Sequence, residues 1–100
     1  MSETDFDANA LDDVIHGKLR LGIMAYLSSV SAAAFTELKE KTDASDGNLS
    51  VHMRKLEEAG YIKVEKTFVG RRPRTTLSLT PKGRKAWIAY LDNLRQLTGS

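Results

Sequence analysis

The stretch Gly47–Thr80 reads GNLSVHMRKLEEAGYIKVEKTFVGRRPRTTLSLT, and its reading decides the fold. Leu49, Met53 and Leu56 recur at spacings of four and three, the period of a helix with one buried face. Gly60 follows the last helical residues, where a left-handed backbone ends a helix at least cost. Tyr61 to Phe68 then alternates: Ile62 and Val64 on one face, Lys63 and Glu65 on the other. Gly70 and Pro73 mark a hairpin tip over Val69–Arg74, and Leu77 and Leu79 point inward from the returning strand. Helix, strand, cationic tip and strand in this order outline a winged helix-turn-helix.

Working outward, Ser45 is placed to cap the third helix, over 45–59, with Asp46 in its first turn. Thr42–Ser45 is the turn. Before it, Thr36 is expected to cap a short second helix, with Glu37 favoured by the helix dipole and Leu38 facing inward. A first apolar stripe begins at Leu11, Val14 and Ile15 and continues through Leu19, Ile23, Met24 and Leu27, with Gly17 as a kink or interruption. Downstream, Thr80-Pro81 is a helix start, because the missing N–H of proline costs nothing at the first helical position. The last helix is expected from Pro81 to about Leu97. The fold class is mainly α with a small β-hairpin, and a short strand near Ala34–Phe35 is a candidate third member of the sheet.

The composition limits the possibilities. One hundred residues allow one domain, with 41% apolar and 28% charged residues as in ordinary globular proteins. The absence of cysteine excludes disulfides and thiolate metal sites. Two distant histidines offer no metal-ligand spacing, and no phosphate-binding glycine loop, nucleophile elbow or HExxH is present. No metal, no cofactor and no enzymatic activity are therefore expected. No apolar run approaches the ~20 residues of a membrane span, and the acidic N-terminus lacks the regions of a signal peptide, so a cytoplasmic location is expected.

The charge is unevenly distributed. Glu3, Asp5, Asp7, Asp12 and Asp13 stand in the first 13 residues without a base, so a net charge of +2 leaves +7 on residues 14–100. Residues 1–10 are expected to form a flexible acidic leader and 11–98 the domain. From Lys66 onward there are eight bases and one acid, a polyanion-binding balance.

With Leu49, Met53 and Leu56 buried, the third helix presents Asn48, Val51, Arg54 and Lys55, with Gly47 and Ser50 near its N-terminal end. Asparagine can pair bidentately with adenine, arginine with guanine, and valine can touch a thymine methyl. Small residues allow close approach, and Ser50 can donate to a phosphate. The wing, 69–75, carries Arg71, Arg72 and Arg74 without acidic neighbours in sequence, which suits phosphates and narrow minor grooves. Double-stranded DNA is the expected partner. A protein–protein module is the alternative, for which an arginine cluster has no evident use. The last helix carries Trp87, Tyr90, Leu91, Leu94 and Leu97, more apolar surface than one core is expected to need. Together with Leu11, Val14 and Ile15 this predicts a homodimer interface.

Taken together, LDDVIHGKLRLGIMAYL and DGNLSVHMRKLEEAGYIKVEKTFVGRRPRTTLSLTPKGRKAW closely resemble small single-domain winged-helix transcriptional regulators related to the MarR and ArsR groups. The resemblance spans roughly Leu11 to Leu97. It implies a homodimer on an imperfectly palindromic operator, most simply a repressor, with the third helix and the wing on DNA. The residues facing DNA would be Gly47, Asn48, Ser50, Val51, Arg54, Lys55, Arg71, Arg72 and Arg74. Val51 stands where many relatives carry a base. The lack of cysteine argues against ArsR-type metal sensing. The resemblance names no small-molecule effector.

Overall fold

The computed structural model describes residues 11–99, and the expected acidic leader lies outside them. The elements are α1 (Lys18–Ser28), β1 (Ala33–Ala34), α2 (Phe35–Thr42), α3 (Asp46–Glu58), β2 (Ile62–Val69), β3 (Arg72–Leu79) and α4 (Pro81–Thr98). Four helices thus accompany an antiparallel three-stranded sheet of order β1-β3-β2. The short strand expected near Ala34 is β1, which pairs Ala33 with Leu77 and Ala34 with Thr76.

The first helix begins later than the apolar stripe suggests. Leu11–Gly17 forms a strap, because Asp12 folds the backbone around itself. Its side chain accepts from the Val14 N–H at 2.9 Å, and its carbonyl accepts from Ile15 at 3.1 Å and His16 at 2.8 Å. Such local bonds compete with helix formation. α2 begins at Phe35, so Thr36 is inside the helix rather than its cap; the Glu37 carboxylate accepts from the Ala34 N–H at 3.5 Å. Asp43 ends α2 at φ 56°, a left-handed position that aspartate tolerates.

α3 starts and stops as its sequence indicates. Ser45 Oγ accepts from the Asn48 N–H at 3.1 Å. At the far end Gly60 has φ 82°, its N–H reaches the Glu57 carbonyl, and the Tyr61 N–H reaches that of Leu56. These two bonds close the helix and aim the chain into β2. α4 is seated on the same corner. Thr80 Oγ1 accepts from the Gly83 N–H at 2.9 Å and donates to the Gly60 carbonyl at 2.6 Å. A Cβ on Gly83 would stand 1.9 Å from the Tyr61 carbonyl oxygen, so the close crossing requires glycine.

The core lies between α1, α3, α4 and the sheet. Ile15, Ile23, Met24, Leu27, Leu38, Leu49, Leu56 and Leu77 are fully buried, and Ile62, Trp87 and Tyr90 complete it. Leu19, Met53 and Leu79 are half-buried against it. The assignment of Ile15, Trp87 and Tyr90 to a dimer surface is therefore corrected. The helix-turn-helix and small sheet leave one side open, and the strap and the first half of α4 close it. Trp87 stacks on Tyr90 at 5.9 Å, and the Tyr90 hydroxyl is hydrogen-bonded to His16 Nδ1 at 3.0 Å. The apolar surface left on α4 is Ile88, 54% exposed, and Leu91, 37% exposed, followed by half-buried Leu94 and Leu97. Leu11 and Val14 on the strap are half-buried against the core.

Candidate nucleic-acid interface

α2, the turn at 43–45 and α3 form the helix-turn-helix. Lys39 Nζ lies 2.6 Å from Asp46 Oδ1 across the turn. Both side chains are exposed, so the pair adds little stability. It does neutralise the one carboxylate at the N-terminal end of α3. With Leu49 and Leu56 buried, α3 turns Gly47, Asn48, Val51, Arg54 and Lys55 to solvent, Val51 at 51% exposure, and Ser50 is half-buried. The six residues therefore lie on one helix, and five of them are exposed. Two cations the sequence reading passed over stand close by. Lys18 and Lys41 line, with Asn48, a groove of about 750 Å³ between α1 and the turn, and they add positive charge beside the helix N-terminus.

His52 sits at the margin of α3, half-buried. Arg20 Nη1 is 2.9 Å from its Nδ1, while Arg20 Nε donates to the Val14 carbonyl at 2.6 Å. A guanidinium only donates, so Nδ1 must accept and the ring is neutral with its proton on Nε2. Burial first, then the charges of Arg20 and Lys55, hold its pKa below the usual histidine value. Arg20 thereby ties the strap to the helix that carries the exposed polar face.

The wing differs from its expected form. β2 and β3 pair in register from Ile62↔Leu79 to Val69↔Arg72, and the tip is a two-residue turn, Gly70-Arg71, with Gly70 at φ 67°. Arg72, Pro73 and Arg74 thus belong to β3 rather than to a loop. Pro73 is tolerated because Phe68↔Pro73 is next to the turn-closing pair. Rungs of an antiparallel ribbon alternate, so this one lacks mutual hydrogen bonds and the proline nitrogen faces outward. From Glu65 to Val69 every side chain of β2 is exposed, so an arm of about 16 Å projects past the core.

Arg71 and Arg72 stand at its end. Arg74 is set further back, beside two carboxylates: it shares a cleft of about 380 Å³ with Glu37 and Glu40. The absence of acidic neighbours in sequence thus does not extend to space for Arg74. Its charge is the weakest of the influences that lower the Glu37 pKa, the strongest being the hydrogen bond donated by the Tyr26 hydroxyl.

Comparison with known proteins decides the family. The model of a winged helix DNA-binding domain matches residues 19–98. The chain belongs to the winged helix DNA-binding domain family. It is also 35% identical over 85 residues to an uncharacterised protein of Methanocaldococcus jannaschii, covering 85% of this chain and 92% of that one. Among solved structures, a transcriptional regulator homologue from Pyrococcus horikoshii OT3 is 31% identical with a TM-score of 0.80, over 86% of this chain and 85% of that one. A MarR-family regulator from Enterococcus faecalis V583 is 26% identical with a TM-score of 0.75, over 99% and 87%. The winged helix is thus similar to MarR-type regulators along most of its length.

Proposed function

We propose that this winged helix is a cytoplasmic, homodimeric transcriptional regulator that represses by occupying a promoter. α3 enters the major groove of double-stranded DNA, with Asn48 and Arg54 reading bases, Val51 meeting a thymine methyl, and Gly47, Ser50 and Lys55 close to the backbone. Arg71 and Arg72 at the tip of the wing contact phosphates and the minor groove, with Arg74 behind them. Two copies joined through α4 and the strap, by Leu11, Val14, Ile88, Leu91, Leu94 and Leu97, place two recognition helices about one turn, or 34 Å, apart on an imperfect palindrome.

The observation that carries this reading is the pairing of an exposed α3 face of base-reading residue types with a projecting arm whose tip arginines have no ion-pair partner among the described residues. The experiment is titration of a selected duplex at several salt concentrations. Affinity falls steeply with salt as counterions are released. Asn48→Ala and Arg54→Ala each cost roughly 1–3 kcal/mol at one operator position, while alanine at Arg71 and Arg72 together weakens all sequences and flattens the salt slope. Uniform losses in the α3 variants, or an unchanged slope in the wing variant, would refute the assignment.

A further inference from the structure

β2 and β3 continue as a paired ribbon after the core has ended. The face that carries Ile62, Val64, Leu77 and Leu79 at its base carries Phe68 opposite Pro73 near its tip. Phe68 is 74% exposed, the most exposed of the large apolar side chains among the described residues, and Val69 on the other face is 58% exposed. The backbone beneath the ring is fixed in register by a two-residue glycine turn, and the pyrrolidine of Pro73 stands across from it. Arg71 and Arg72 follow three and four positions later, neither with an ion-pair partner among the described residues.

A paired ribbon whose tip carries a phenyl ring on one face, Arg71 at the turn and Arg72 on the opposite face fits a polyanion with apolar gaps between stacked planes and phosphates to either side. We infer that Phe68, backed by Pro73, is a wedge that enters the minor groove and leans into a base step, while Arg71 and Arg72 neutralise the flanking phosphates. The inference rests on the DNA-binding reading above. Apolar side chains inserted in this way partly unstack a step and bend the duplex toward the major groove. The deformation is easiest at pyrimidine–purine steps such as TA and CA. An arginine-only wing would instead favour stiff, narrow A-tracts. The wedge thus adds sequence preference at a position where α3 makes no contact. A protein partner is the competing occupant of the ring, but it leaves the two tip arginines without a role.

The test compares the full chain with Phe68→Ala, whose side chain is exposed and whose folding is checked by circular dichroism. Duplexes are selected from a random pool by each protein. 2-Aminopurine is then placed at the step under the wing, and end-to-end energy transfer reports bending. The wild type should enrich TA or CA at that step, raise 2-aminopurine fluorescence and shorten the end-to-end distance. Phe68→Ala should lose all three and bind the selected site about tenfold more weakly, the scale of one lost base–aromatic stack. Its salt slope should be unchanged, because no charge is removed. If Phe68→Ala keeps the fluorescence signal and the step preference, the wedge is overturned while the DNA-binding reading stands. A wild type that binds no duplex at low salt overturns both. A variant that binds and bends DNA like its parent but sediments differently places the ring against protein and overturns the wedge.

Discussion

Tyr61 joins three parts of the chain. It is half-buried where α3 turns into β2, its hydroxyl donates to the Asp12 carboxylate on the strap, and its ring lies under the Lys82 ammonium of α4. Burial, then the bond to Asp12 and its charge, push the phenol up to about 12 from 10.0. A raised folded pKa means that the protonated phenol favours the fold: its contribution is complete below pH 10 and is lost as pH climbs through about 12. Urea titrations should therefore show the stability gap between wild type and Tyr61→Phe narrowing over that window. His52 carries the opposite sign. Its lowered pKa favours the neutral ring, so its contribution is complete above pH 6.5 and is lost as pH falls through the folded value. Proton NMR should place its midpoint below 6.5, and Arg20→Ala should move it part of the way back, since burial remains. The α3 face was legible in the sequence, because Leu49 and Leu56 fix which side is outward. The surroundings of Arg74 were not. Glu37 and Glu40 lie 37 and 34 positions upstream and are brought near it only by the pairing of β1 with β3.

Among the elements, the ones read most accurately are those closed by local chemistry. Ser45 and Gly60 bound α3, and Thr80-Pro81 opens α4, through bonds between near neighbours. Ser45→Ala should cost about 1 kcal/mol in chemical denaturation, the usual value of a lost cap. The apolar stripe runs on through the strap, so the start of α1 is marked only by the interruption at Gly17, which caps the helix, while Asp12 reorganises the backbone before it. The role of α4 was divided wrongly for a different reason. Trp87 and Tyr90 are needed in the core because the sheet is small, and only the assembled fold reveals the side that was open. Ile88 was overlooked in favour of that stripe, although it is the more exposed residue. Gly83 lies inside α4 with no sequence signal to set it apart, yet its crossing with Tyr61 admits no methyl group. Gly83→Ala should lose at least about 2 kcal/mol by overpacking, lowering Tm by roughly 10 °C. Thermal melts would check this, and an unchanged Tm would mean that α4 shifts freely.

The body formed by residues 11–99 is long for its size. It extends 59 × 25 × 22 Å with a radius of gyration of 15.1 Å, against about 13 Å for a compact chain of this size. In the proposed dimer the outer half of α4 meets its counterpart. Ile88→Glu with Leu91→Glu should give a folded monomer by sedimentation and circular dichroism, since both side chains are exposed. Its DNA affinity should fall by at least tenfold as the effective concentration of the second half is lost. Wild type sedimenting as a monomer at micromolar concentration would rule out this assembly. The seat of α4 then acquires a metric meaning. Eighteen residues make a rod about 27 Å long, and a tilt of about 10° at its base swings the far end by about 5 Å. That exceeds the 3.4 Å between successive base pairs. In the proposed dimer the contact of Gly83 with the Tyr61 carbonyl would thus be the gauge. A change there would reset the number of base pairs between the proposed half-sites while leaving every residue that would touch DNA as it is.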